Sequence, residues 1–191
     1  MNEFRQVEQI AFHEAGHAVF GHFFDYQSEE IRLNFDEKRG IYPYTLKNYG
    51  SDKSIIDNFE NEREIDFNKY SIDTIQAIAK KYCVSLLAGP ITEFYYKKEL
   101  NFKGQLDFQN TPDYNNVLKA IRIAKITNIQ SFLSDISNII CSYIETEDVI
   151  WNTISEIAKL AITQTDFVLP KNDIYKIFKH SGLDDLKATI K

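Results

Sequence analysis

Apolar residues recur at three- and four-residue spacing over roughly residues 3–25, through Val7, Ile10, Ala11, Ala18 and the small Gly21. No proline precedes Pro43, so the spacing predicts an uninterrupted first helix over 1–25. Glu30-Ile31-Arg32-Leu33-Asn34-Phe35 then changes the period to two, which predicts a half-buried strand. Asp36 to Gly40 form a polar turn, and Ile41 to Leu46 read as a second strand that Pro43 confines to an edge or a bulge. A small β-hairpin is therefore expected over 30–46. Residues 47–69 are polar and acidic and read as a surface segment with at most a short helix.

Helical periodicity returns at Ser71, a good cap, with Asp73 at the positive helix end. Ile72, Ile75, Ile78, Ala79, Tyr82, Cys83, Leu86 and Leu87 mark a core helix over 71–98 that runs into Ala88-Gly89-Pro90. A loop follows. Thr111-Pro112-Asp113 is a helix start: threonine caps, proline takes the first helical position and aspartate sits in the first turn. Further helices are predicted over about 131–146, 147–165 and 171–180, the last ending before Gly182. No repeat or low-complexity linker divides the chain. The expectation is one mainly α domain over 1–191, with a small β-hairpin and a helical C-terminal part over 111–191.

Composition narrows the function classes. The net charge of -6 disfavours a nucleic-acid binder, which needs a basic face, and an anionic membrane surface. No apolar run reaches the roughly 18 residues of a membrane helix, and the first residues are too polar for a secretory signal. Cys83 and Cys141 lie in apolar helical patterns, far apart, and read as buried thiols of a reducing, cytoplasmic compartment.

The candidate chemistry lies in the first helix. His13-Glu14-Ala15-Gly16-His17 is an H-E-x-x-H sequence. From this composition its chance occurrence is on the order of 1 in 100. Residues four apart share a helix face, so His13 and His17 can hold one metal ion while Glu14 reaches a water at that ion. Gly16 costs roughly 1 kcal/mol in an ordinary helix, which a close backbone approach would explain. Two histidines packed without metal are the plain alternative.

Catalytic zinc takes three protein ligands and a water. The metzincin spacing requires glycine and histidine where this chain has Phe20 and Phe23. His22 stands about 140° round the helix from His17 and cannot readily share its metal. Glu37 has the thermolysin-like spacing but falls in the predicted hairpin turn. Distant carboxylates are left.

With H-E-A-G-H-A at 13–18, the strand pair over 30–46, Leu87-Ala88-Gly89-Pro90-Ile91-Thr92-Glu93, and Thr111-Pro112-Asp113 followed by Ala120-Ile121-Arg122-Ile123-Ala124, the chain resembles the peptidase domain of FtsH-type zinc metallopeptidases over nearly its whole length. The resemblance implies a zincin-type helical metallopeptidase domain. It implies Zn2+ on His13, His17 and an aspartate at the start of a helix, with Glu14 as catalytic base. Alignment by the helix cap makes that ligand Asp113; alignment by the downstream Ala-x-x-Ile-Ala pattern puts Asn116 there, a poor zinc ligand. Asp107 on the preceding loop is a looser candidate. Alternatively Asp113 only stabilises the helix start. Glu93 matches a family glutamate that would orient a ligand histidine, or else is a half-exposed helix glutamate.

The implied activity is zinc-dependent endopeptidase hydrolysis of a peptide or protein substrate. Glu14 takes a proton from the attacking water and passes it to the leaving amine. Tyr42 and Tyr44 are the candidate oxyanion donors on the hairpin, whose edge could pair with an extended peptide. The chain lacks the family's membrane helices and a Walker sequence, so it is expected to act on flexible segments or with a separate unfoldase. Two other readings stand beside this one. The first is a silent or latent module on the same fold that binds a protein partner through 51–69. The second is a metallohydrolase of non-peptide amides. Oligomeric state is open.

Overall fold

The computed structural model describes residues 3–34, 42–99, 111–164 and 166–190. Its elements in chain order are α1 (Glu3–Phe23), β1 (Gln27–Arg32), β2 (Tyr44–Asn48), a 3-10 turn (Gly50–Asp52), α2 (Lys53–Glu60), α3 (Ile72–Glu99), α4 (Pro112–Ile123), α5 (Ile129–Thr146), α6 (Asp148–Thr163), β3 (Val168–Pro170), α7 (Lys171–Ser181) and α8 (Leu183–Ile190). The protein is mainly helical with one small antiparallel sheet, ordered β2-β1-β3.

α1 is the central element. Ala11, Phe12, Ala15, Ala18, Val19, Phe20 and Phe23 are all buried, so the helix is enclosed on every side and not along one stripe, as the spacing alone predicted. It packs against α3 on one flank and α6 on the other. The α1–α3 seam is tight because it is built on glycine. A Cβ at Gly16 would lie 2.5 Å from Thr92 Oγ1 and 2.7 Å from the Ala88 carbonyl. The helical cost of Gly16 is thus offset by close approach of the two backbones.

Several boundaries differ from the predicted ones. The hairpin strands span 27–32 and 44–48, so Pro43 stands just before β2 and not within it. A proline cannot donate to the ladder, which places the strand start beyond it. Residues 47–69 are not simply a polar surface: α2 buries Ile55, Ile56 and Phe59 on one face. Their spacing of three and four is a helical stripe that the surrounding charge obscured. β3 and α8 were not predicted. β3 is three residues long and pairs Val168 with Arg32 and Leu169 with Ile31, too short to carry a period of its own.

Position on the sheet follows from register. Ile31 pairs with Thr45 and with Leu169, and Ile31 and Leu169 are buried against the helices. Thr45 and Lys47 share that inward side of β2, whereas Tyr44 and Leu46 face outward and are exposed. β2 is an edge strand, paired only with β1 among the described residues.

Candidate metal centre

Helix geometry brings His13 and His17 edge to face, with ring centroids 4.7 Å apart. Opposite them stands the first turn of α4. Thr111 caps it by accepting the Tyr114 N–H at 3.2 Å, Pro112 follows, and Asp113 directs its carboxylate at both rings. Asp113 Oδ2 lies 3.1 Å from His13 Nε2 and Oδ1 lies 3.6 Å from His17 Nε2. One donor atom from each of His13, His17 and Asp113 falls within 4.8 Å of the others, a group that can hold a metal ion.

The outer nitrogens are held separately. His13 Nδ1–H donates to Glu93 Oε2 at 3.2 Å, and Glu93 is also paired with Lys97. His17 Nδ1–H donates to the Ser85 carbonyl at 2.7 Å. Each ring therefore presents Nε2 to the shared centre, and its outer N–H has a fixed acceptor. Metal-ligating imidazoles are commonly held in this way. Gly89 makes room for both rings. A Cβ there would lie 2.5 Å from His17 Nε2 and 2.8 Å from His13 Cδ2. Two imidazole nitrogens and one carboxylate form a donor set suited to zinc.

Electrostatics show what the metal-free cluster does instead. Burial alone lowers the pKa of His13, but hydrogen bonds to Asp113 and Glu93 and the charge of Glu14 override it, and the imidazolium persists to about 10. Burial raises the Asp113 carboxyl, but His17 and His13 hold it well below the usual carboxylate range. A proton on His13 thus occupies the cation's place.

Glu14 is buried at the same wall. Thr45 Oγ1 lies 2.8 Å from its Oε2 and 2.9 Å from its carbonyl oxygen, so the single hydroxyl proton serves one of them at a time. These groups line an open cleft of about 430 Å³ with Ile10, Leu86 and Pro112 as apolar walls and β2 as one rim.

The other sequence candidates fall as follows. Asn116, one turn beyond Asp113, is half-buried on α4 and is not among the residues lining the cleft. The helix cap, and not the downstream Ala-x-x-Ile-Ala pattern, therefore selects the residue at the centre. Asp107 and Glu37 lie outside the described residues. Tyr42 and Tyr44 both line the cleft, but the Tyr44 hydroxyl donates to Glu30 Oε1 at 2.9 Å and so is engaged along the sheet. His22 is buried and points away to Asp184, 2.7 Å off. Sequence reasoning missed Thr45, Lys47 and Ser85. Alternation along the predicted strand could have found Thr45, and Lys47 had the strand been extended past Leu46. Ser85 acts through its backbone carbonyl and carries no side-chain signal.

Comparison with known proteins adds no relative: no family model, no curated protein and no solved structure matches the chain. Among the described residues, no helix is long and apolar enough to cross a membrane.

Proposed function

We propose that the protein is a zinc-dependent peptidase of zincin type, on a domain akin to that of FtsH-type enzymes. The observation that carries this reading is the convergence of His13 Nε2, His17 Nε2 and the Asp113 carboxylate beside the buried Glu14, in an open cleft. His13, His17 and Asp113 would hold the ion, which when bound would supply Lewis acidity towards a water and a carbonyl oxygen.

The chain's own groups do the rest. Glu14 takes a proton from the attacking water and delivers it to the leaving amine. Thr45 keeps the Glu14 carboxylate against the wall of the cleft. Glu93 and the Ser85 carbonyl hold the two rings in one orientation, so no reorganisation is needed during reaction. Among the described residues β2 is an edge strand at the rim, on which an extended peptide can add as a further strand.

The test is zinc analysis of the purified protein together with peptide hydrolysis by the wild type and Glu14→Gln. About one zinc per chain in both, with cleavage only in the wild type, is the expected result. Zinc with no cleavage of peptides by either would favour the silent module, and cleavage confined to non-peptide amides the amidase. No zinc in the wild type after reconstitution overturns the metal-centre reading.

A further inference from the structure

Apart from the two histidines, Lys47 is the one cationic side chain among the described residues lining the cleft, where it accompanies the carboxylates of Glu14, Glu93 and Asp113. Its stem crosses α1 at Gly21, with Cδ and Cε 3.7 Å from the place a Cβ there would take. Its Nζ ends on α3, donating to the Ser85 carbonyl at 3.2 Å and lying 3.4 Å from Ser85 Oγ. Ser85 Oγ donates to the Tyr82 carbonyl at 2.9 Å, which leaves its lone pairs for Lys47. The same Ser85 carbonyl accepts the Nδ1–H of His17. An ammonium and a candidate ligand imidazole therefore share one oxygen.

We infer that Lys47 is a positioning residue of the metal centre: its ammonium shares the Ser85 carbonyl with His17 and by its charge weakens the grip of that histidine on a metal ion. The inference rests on the metallopeptidase reading. An acceptor on the outer N–H of an imidazole raises its strength as a ligand. An ammonium on that oxygen withdraws electron density from it and makes it a poorer acceptor for the imidazole N–H, and its positive charge opposes a dication. Both effects lower affinity and leave the ion a stronger Lewis acid. Burial lowers the Lys47 pKa to about 8, with Asp113, Glu14 and Glu60 pulling it back up, so the side chain is mostly charged at neutral pH. A lysine that merely pinned β2 to α3 would have the opposite signature, because its loss would loosen Ser85 and weaken metal binding.

The experiment is zinc affinity by competition with a chromogenic chelator at pH 7, on the full chain, for the wild type, Lys47→Met, Lys47→Gln and Lys47→Arg, each checked for folding by thermal melting. Lys47→Met and Lys47→Gln are expected to bind zinc about tenfold more tightly, the scale of an outer-partner change, and Lys47→Arg close to the wild type. Should Lys47→Met not fold, Lys47→Gln, with its polar tip, decides. Unchanged or weaker binding in the neutral variants overturns the inference and leaves the metallopeptidase reading standing, as does tighter binding in Lys47→Arg. Failure of the wild type to bind zinc overturns both.

Discussion

α1 carries three histidines in two environments, with His13 and His17 at its middle and His22 at its C-terminal end. His22, near the C-terminal end, is buried, stacks on Phe178 at 4.3 Å and meets one carboxylate, the half-exposed Asp184, with Lys187 nearby. Burial wins there, and the His22 pKa falls below its ordinary value. His13 is half-buried, two carboxylates converge on it, and its pKa rises to about 10. Burial by itself favours a neutral imidazole; converging carboxylates override it and favour the cation. The middle of the helix could hold a metal ion, and its C-terminal end is a packed joint with α7 and α8.

The largest way to break this contrast is to remove the shared carboxylate. Asp113→Ala should weaken zinc binding by more than about 100-fold, beyond the range of outer partners, while the protein stays folded. Retained affinity in a chelator competition would move the third ligand elsewhere. Replacing Glu93 by Gln leaves an acceptor but removes its charge, and should weaken zinc binding by roughly tenfold. An unchanged affinity would reduce Glu93 to a partner of Lys97.

The two seam glycines sharpen the comparison by separating packing from chemistry. Both Gly16→Ala and Gly89→Ala should cost about 1–3 kcal/mol in the melting of the metal-free protein, since each Cβ meets atoms at 2.5 Å. Only Gly89→Ala presses directly on His17 and His13, so only it should also impair zinc binding in protein that remains folded.

The smallest expected effect is the pH dependence of metal-free stability. His13 binds its proton more tightly folded than unfolded, so its contribution is complete below about 6.5 and is lost as pH rises towards 10. Lys47 runs the other way: its folded value of about 8 is depressed, so its penalty fades between about 8 and 10.5. Stability should therefore fall from about pH 6.5 to 8 and flatten above that. His22, with a lowered pKa, adds a loss on acidification below about 6.5. Denaturant titrations across this range should show the alkaline slope vanish in His13→Ala and persist in His22→Phe.

Much of the site was legible because it is local. H-E-x-x-H on an uninterrupted apolar-periodic stretch places His13, Glu14 and His17 with no knowledge of the fold, and Thr111-Pro112-Asp113 announces its own helix start. Gly16 inside the motif helix marked α1 as a helix that another backbone approaches closely. Asp113 against Asn116 could not be decided from the chain, because both alignments are consistent with one helix face. α2 was concealed by its charges, and β3 by its brevity.

The sequence by itself determined which side chains can act together within one element, because helix pitch and strand alternation set spacing with few alternatives. Only the tertiary structure decided which elements meet. It brought Asp113 to His13 across 100 residues, put the Ser85 carbonyl behind His17, and carried Lys47 over Gly21 to the same oxygen. Those meetings depend on how closely α1 and α3 can pack, and that is a property of the buried surfaces at Gly16 and Gly89 jointly with what faces them, which no single stretch of the chain contains.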